Sequence, residues 1–157
     1  LILKTMQKFD PRIESIKPLP DGIFFGLKGF DELVPSNLLG DGLRKFLNVI
    51  TAIAESKNSF ILLDEIENGL HYSAHKLLWE SILSMAETFN VQVFITTHSI
   101  ESITCLKLVL EEEKYYKMQE LAKVFTITET AKSGFKAYKY SFEALKDAIE
   151  KETELRS

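Results

Sequence analysis

Apolar positions recur along this chain with two periods, and the changes between them mark its elements. RIESIKPL (12–19) and DGIFFGLKG (21–29) read as short strands joined by a turn at Pro20-Asp21-Gly22, where proline presets the backbone and glycine accepts positive φ. From Leu43 the spacing becomes helical. Leu43, Phe46, Leu47, Ile50, Ile53 and Ala54 predict an amphipathic helix running to Ser56. The short apolar run from Ser59 to Leu63 predicts a strand covered on both faces, as in a parallel sheet. A helix over 73–89 follows, with Leu78, Ile82, Met85, Ala86 and Phe89 as its buried stripe, and then a strand, VQVFITT (91–97). Strand, helix and strand in this order form a right-handed βαβ unit.

Beyond His98, SIESITCLKLVLEEEKYYKM reads as one helix, despite the weaker helix formers Ile103 and Thr104. LAKVFTITET and FKAYKYS read as strands around a turn at Ser133-Gly134, and FEALKDAIEKE as a closing helix. The alternation predicts an α/β fold in a single domain, 1–157, with a mostly parallel sheet flanked by helices and small β elements at both ends.

Bulk properties narrow the function classes. A chain of 157 residues that is 45% hydrophobic can bury a proper core, and 27% charged residues is an ordinary figure for a globular domain. A net charge of −4 argues against an autonomous, strongly basic nucleic-acid binder, though not against a local basic patch. Cys105, the only cysteine, has no partner for an intrachain disulfide and fits a reducing, cytoplasmic setting. No apolar run approaches the roughly 20 residues of a membrane span, and no signal peptide is visible. The opening Leu1-Ile2-Leu3, without an initiator methionine, suggests a piece of something longer.

In open parallel sheets, ligands bind beyond the carboxyl ends of the strands. One predicted strand ends in Asp64-Glu65 and the next in Thr96-Thr97-His98-Ser99. If the strands are neighbours, two carboxylates and an imidazole share one crevice. Asp64 would hold Mg²⁺ through a water, Glu65 would orient or deprotonate an attacking water, and His98 would sense a terminal phosphate. Taken alone, the carboxylates read equally well as a charged turn, and His98 as a surface histidine. Upstream, Gly40 and Gly42 flank Asp41 just before a helix, where outward N–H groups suit a phosphate; Asp41 could equally cap the helix by itself. His71 and His75 stand four apart, as in helical zinc sites, but Tyr72 replaces the glutamate of HExxH and no third ligand is evident. Trp79 and the phenylalanines read as core. The stretch from Lys114 to Tyr140 carries six lysines against Glu120 and Glu129, with Tyr115, Tyr116, Tyr138 and Tyr140 among them. That composition fits nucleic-acid contact or a solvated helix and hairpin.

In order and spacing, these pieces resemble an ABC-type ATPase. FILLDE (60–65) is similar to a Walker B strand with its catalytic glutamate, ENGLH (67–71) to the D-loop, and ITTHS (95–99) to the switch strand. LGDGLRK (39–45) stands where the ABC signature belongs. The bacterial AAA-family ATPases of ABC type related to the overcoming-lysogenisation-defect (OLD) nucleases match more closely. Several read DEIENGLH, then TTHS, and close on an E-x-R like Glu154-Leu155-Arg156. The resemblance runs from residue 36 to the end and implies the carboxy-terminal lobe of a P-loop NTPase using ATP and Mg²⁺. It implies catalytic roles for Glu65 and His98, Mg²⁺ at Asp64, and nucleotide contacts from Gly40, Asp41, Gly42, Glu67 and Asn68. It divides the domain into strands leading to the signature (1–36), the motif-bearing segment (37–100) and a closing helix, hairpin and helix (101–157).

Two departures matter. LGDGL lacks the serine of LSGGQ, which leaves the phosphate to backbone groups. Nowhere does GxxxxGK[ST] occur; GIFFGLKG (22–29) lacks its ending, and no Q-loop is identifiable. The resemblance therefore implies half of an ATPase, with an amino-terminal P-loop half as missing partner and a head-to-tail homodimer as the working form. DNA repair or phage defence, with DNA as a further partner, is the family expectation. The alternative is a non-enzymatic module lending its signature and D-loop to a P-loop partner. A complete OLD-type nuclease would also need a TOPRIM domain, which these residues do not contain.

Overall fold

The chain opens in a helix, α1 (Ile2–Phe9), in the computed structural model, which describes residues 1–130 and 134–150. Periodicity alone predicts no element there, because eight residues show barely two turns of repeat. Burial of Thr5 and Met6 holds the helix in place. At its end, side-chain hydrogen bonds from Arg12 keep the Asp10 carboxyl below its ordinary value of 3.8. That depressed value stabilises the fold above the unfolded carboxylate pKa, and the contribution is lost as pH falls through the folded one.

Strands β1 (Ile13–Leu19) and β2 (Gly22–Leu27) pair antiparallel, with Leu19 opposite Gly22 and Pro20-Asp21 as the turn. The expected hairpin is therefore present. A short β3 (Val34–Pro35) pairs antiparallel with β2. Helix α2 (Asp41–Glu55) buries Leu43, Phe46, Leu47, Val49, Ile50 and Ile53, close to the stripe its spacing predicts. The Phe46 ring lies 4.8 Å from that of Phe9, tying α1 to α2.

Strand β4 (Phe60–Leu63), helix α3 (His75–Phe89) and strand β5 (Gln92–Ile95) supply the expected βαβ order. β4 and β5 are parallel neighbours in register from Phe60↔Gln92 to Leu63↔Ile95. α3 ends where Asn90 turns left-handed, at φ 54°. α2 packs against both α3 and β4, and the core gathers Met6, Phe25, Phe46, Ile50, Ile53, Leu78, Ile82 and Met85.

Several expectations need correction. Among the described residues only β4 and β5 pair in parallel, the other sheets being antiparallel, so the sheet is not mostly parallel. Nor is β4 covered on both faces. Phe60 and Leu62 are 60% and 72% exposed, with Phe94 of β5 beside them, because the sheet is two strands wide with a bare face. A run of apolar residues signals a strand but cannot show which faces are covered. For the same reason the phenylalanines divide. Phe25 and Phe46 are buried, as is Trp79, while Phe30, Phe60, Phe94, Phe125 and Phe135 are exposed.

Contacts divide the chain into two compact units, Leu1–Thr96 and a second from Thr97 onward. In the second, Ser99 caps α4 (Ile100–Leu110) by accepting the Ser102 N–H at 3.1 Å. α4 stops well short of Met118, the end that its sequence predicts. Instead of continuing through Glu111–Glu113, the chain makes a 3₁₀ turn (Glu113–Tyr115) before α5 (Tyr116–Gln119), with Glu111 paired back to Lys107 at 3.0 Å. β6 (Val124–Thr130) and β7 (Gly134–Tyr140) form the predicted hairpin, followed by α6 (Phe142–Glu150). Ser133 of the predicted turn and the closing Glu154-Leu155-Arg156 lie outside the described residues. No described helix is long and apolar enough to cross a membrane.

Candidate functional site

The parallel register sets Asp64 beside Thr96, one step past the last paired residues, Leu63 and Ile95. The ladder continues through them, with Thr96 N–H donating to Leu63 O at 2.9 Å and Ile66 N–H to Thr96 O at 3.1 Å. The Thr96 hydroxyl joins both carboxylate residues. It donates to Asp64 Oδ1 and accepts the Glu65 N–H at 2.9 Å.

Glu65 itself is left-handed at φ 45°, a conformation a long side chain rarely adopts without support. The support is complete. Its carbonyl accepts from Asn68 N at 3.1 Å and from Lys45 Nζ at 2.6 Å, and its Oε2 accepts from Asn68 Nδ2. Ile66, 1% exposed, anchors the loop to the core immediately afterwards.

The glycine-flanked segment forms the start of α2. Gly40 is the N-cap at φ 88°, and the helix begins at Asp41 rather than near Leu43. Asp41 does not cap it; its carboxylate faces solvent, 2.5 Å from Arg44 Nη2. Gly42 is fixed by packing, since a Cβ there would lie 3.1 Å from Gly69 O. The helix start and the 64–70 loop therefore abut. Beside them runs a groove of about 510 Å³ lined by Lys8, Phe9, Gly42, Gly69, His71 and Ser73, among others. First-turn N–H groups lack partners within their helix, which equips this surface for an anion.

The two histidines do not share a helix face. His71 is exposed before a 3₁₀ turn and takes the Ser73 N–H at 3.4 Å, whereas His75 opens α3 and is buried. No cluster of three or more His, Cys, Asp or Glu side chains that could hold a metal occurs among the described residues. Asp64 alone suits a different arrangement. It is exposed, and one oxygen accepts a hydrogen bond from the Thr96 hydroxyl, an arrangement that could suit a cation keeping most of its waters.

Within the first unit, then, Asp64, Glu65 and Asn68 share one network, and Gly42 touches the same loop at Gly69. Glu67 lies half-buried in that loop. His98 is exposed and belongs to the second unit, two residues along the chain from Thr96. The bridging role of Thr96 and the reach of Lys45 are not apparent in the motifs. Register reveals the first, and only tertiary structure the second. Thr96→Val, which keeps shape but removes the hydroxyl, is expected to cost about 1–3 kcal/mol in denaturant unfolding, while Thr96→Ser costs much less.

Comparison with known proteins follows the same segment. The family described as "AAA domain, putative AbiEii toxin, Type IV TA system" matches residues 4–104. An ATP/GTP phosphatase of Helicobacter pylori is 34% identical over 122 residues, covering 75% of this chain and 33% of that protein. An uncharacterized protein of Methanocaldococcus jannaschii is 32% identical over 68 residues, covering 43% of this chain and 60% of that one. The chain thus spans a third of the length of the first relative and 60% of the second. Among solved structures, one from work on the ATP-driven dimerization and DNA-stimulated activation of SMC ATPases aligns with a TM-score of 0.61. It covers 96% of this chain and 87% of that one at 15% identity, a likeness of fold alone.

Proposed function

Because the chain belongs to this AAA-domain family, we propose that it supplies the acidic strand end and the glycine-flanked helix start of a Mg²⁺-dependent, ABC-type ATPase. A P-loop segment outside these 157 residues holds the triphosphate. The observation that carries the reading is the network in which Thr96 joins Asp64 to Glu65 while Asn68 and Lys45 fix Glu65 in a left-handed turn. Such over-determined backbone is characteristic of residues whose position matters to chemistry.

Glu65 orients the attacking water and accepts its proton. Its carboxylate is steadied by Asn68 before substrate arrives, so that little reorganisation accompanies the reaction. Asp64, its carboxylate rotation fixed by Thr96, would hold the cation. The cation, when bound, neutralises charge developing on the phosphoryl group. Gly40 and Gly42 meet phosphate through backbone N–H groups, with Asp41 tied aside by Arg44. Glu67 and Asn68 shape the neighbouring loop, and His98 contacts the terminal phosphate. In a head-to-tail homodimer, the helix start of one subunit faces the nucleotide held by the other.

OLD-type kinship, a carboxy-terminal position in the parent, cytoplasmic residence and a task in DNA repair or phage defence extend the same reading. What supports the kinship, position and task is the DEIENGLH and TTHS spacing, and what supports cytoplasmic residence is the single Cys105. The lack of GxxxxGK[ST] equally favours a second reading, a module that lends its surface to a P-loop partner without catalysing on its own account. Both readings predict that the purified chain binds ATP weakly and hydrolyses it negligibly. Appreciable phosphate release by the chain alone, abolished by Glu65→Gln, contradicts both.

A further inference from the structure

Lys45 sits one turn into α2, and its half-buried side chain crosses to the acidic loop, where Nζ meets Glu65 O at 2.6 Å. A flexible lysine held on a backbone carbonyl gives up rotamer entropy, so the contact must return something. What it holds is the left-handed peptide of Glu65, φ 45°, whose carbonyl also takes the Asn68 N–H at 3.1 Å. A second contact joins the same two elements, because Gly42 lies against Gly69 O so closely that a Cβ would stand 3.1 Å away. The helix start and the loop thus meet at two points, the backbone approach of Gly42 to Gly69 and the Lys45–Glu65 hydrogen bond.

We propose that Lys45 is a positioning residue that transmits displacement of the glycine-flanked helix start to the backbone of Glu65. This inference rests on the roles proposed above and goes one step further. In a head-to-tail pair the helix start and Glu65 of one subunit serve different nucleotides. A link between them inside one chain therefore makes occupancy of one site felt at the glutamate of the other. The lysine acts through an ammonium-to-carbonyl hydrogen bond, stronger than a neutral one, and arginine can replace it while methionine, of similar length and apolar, cannot.

The test uses the isolated chain and needs no nucleotide. Amide resonances of Glu65, Ile66 and Asn68 are followed by NMR as Gly40→Ala disturbs the helix start, in three backgrounds: unaltered, Lys45→Met and Lys45→Arg. The expected result is displacement of those resonances by Gly40→Ala when Lys45 or arginine is present, and loss of that response with methionine. Transmission that survives Lys45→Met, or no response even in the unaltered background, overturns the proposal. A second readout uses the chain combined with a P-loop-bearing segment. There Lys45→Met is expected to lower kcat about tenfold to a hundredfold with KM little changed, and Lys45→Arg to restore most of the loss. Full activity of Lys45→Met beside an inactive Glu65→Gln overturns the lysine's role alone. Full activity of Glu65→Gln overturns the assignment beneath it.

Discussion

Glu65→Gln is expected to lower kcat for ATP hydrolysis by about 10²–10⁴ in an assembly where the chain is joined by its P-loop segment, with ATP binding retained. The substitution isolates chemistry from structure for reasons specific to this loop. Glutamine keeps the length of the side chain and an oxygen that can still accept from Asn68 Nδ2. The backbone contacts that hold the left-handed turn, from Thr96, Asn68 and Lys45, involve the N–H and C=O of residue 65 and survive unchanged. What disappears is the basicity that draws a proton from water. Stability should stay within about 0.5 kcal/mol of the parent. Phosphate release and thermal unfolding of the same samples therefore check the prediction together, and an active, folded variant refutes the assignment.

Phe46→Ala carries the largest expected effect on stability, about 3–5 kcal/mol out of the roughly 5–15 that a domain of this size possesses. Phe46 is wholly buried and meets the Phe9 ring at 4.8 Å, so truncation leaves a cavity at the seam of α1 and α2. Because α2 carries both Gly42 and Lys45, loosening it should also slacken the acidic loop. Denaturant melts should show a large fall in midpoint for Phe46→Ala and a smaller one for Phe46→Leu. Phe135→Ala, at a side chain 75% exposed, should change the midpoint hardly at all. Equal losses from the buried and the exposed phenylalanine contradict this account of the core.

Legibility in the sequence followed how local each cause is. α2 and α3 were readable because their buried stripes repeat over four turns, and the β1–β2 turn because Pro20 and Gly22 dictate its backbone. α1 was not, since eight residues are stabilised by neighbours rather than by pattern. The bare face of β4 was invisible for a related reason. Phe60 and Leu62 look the same in sequence whether a helix covers them or solvent does. The early end of α4 was not legible either, since Glu111, Glu112, Glu113 and Lys114 are all compatible with a continuing helix.

The site divides in the same way. Asp64 and Glu65 announce themselves at the end of an apolar strand, and the glycines before α2 mark a helix start. Thr96 becomes meaningful only once register sets it beside Asp64. Lys45 is one lysine among many until α2 is folded against the loop. Nothing in the spacing of 40–45 says that its side chain will end on Glu65 O.

The proposed function makes this chain one part of an ATP site whose P-loop is supplied by another segment. Adding a P-loop-bearing segment to the purified chain and measuring phosphate release tests it most directly. Negligible release from either component alone, release on mixing, and none on mixing with the Glu65→Gln chain are expected. Hydrolysis by the unsupplemented chain, or release on mixing that is indifferent to Glu65, contradicts it.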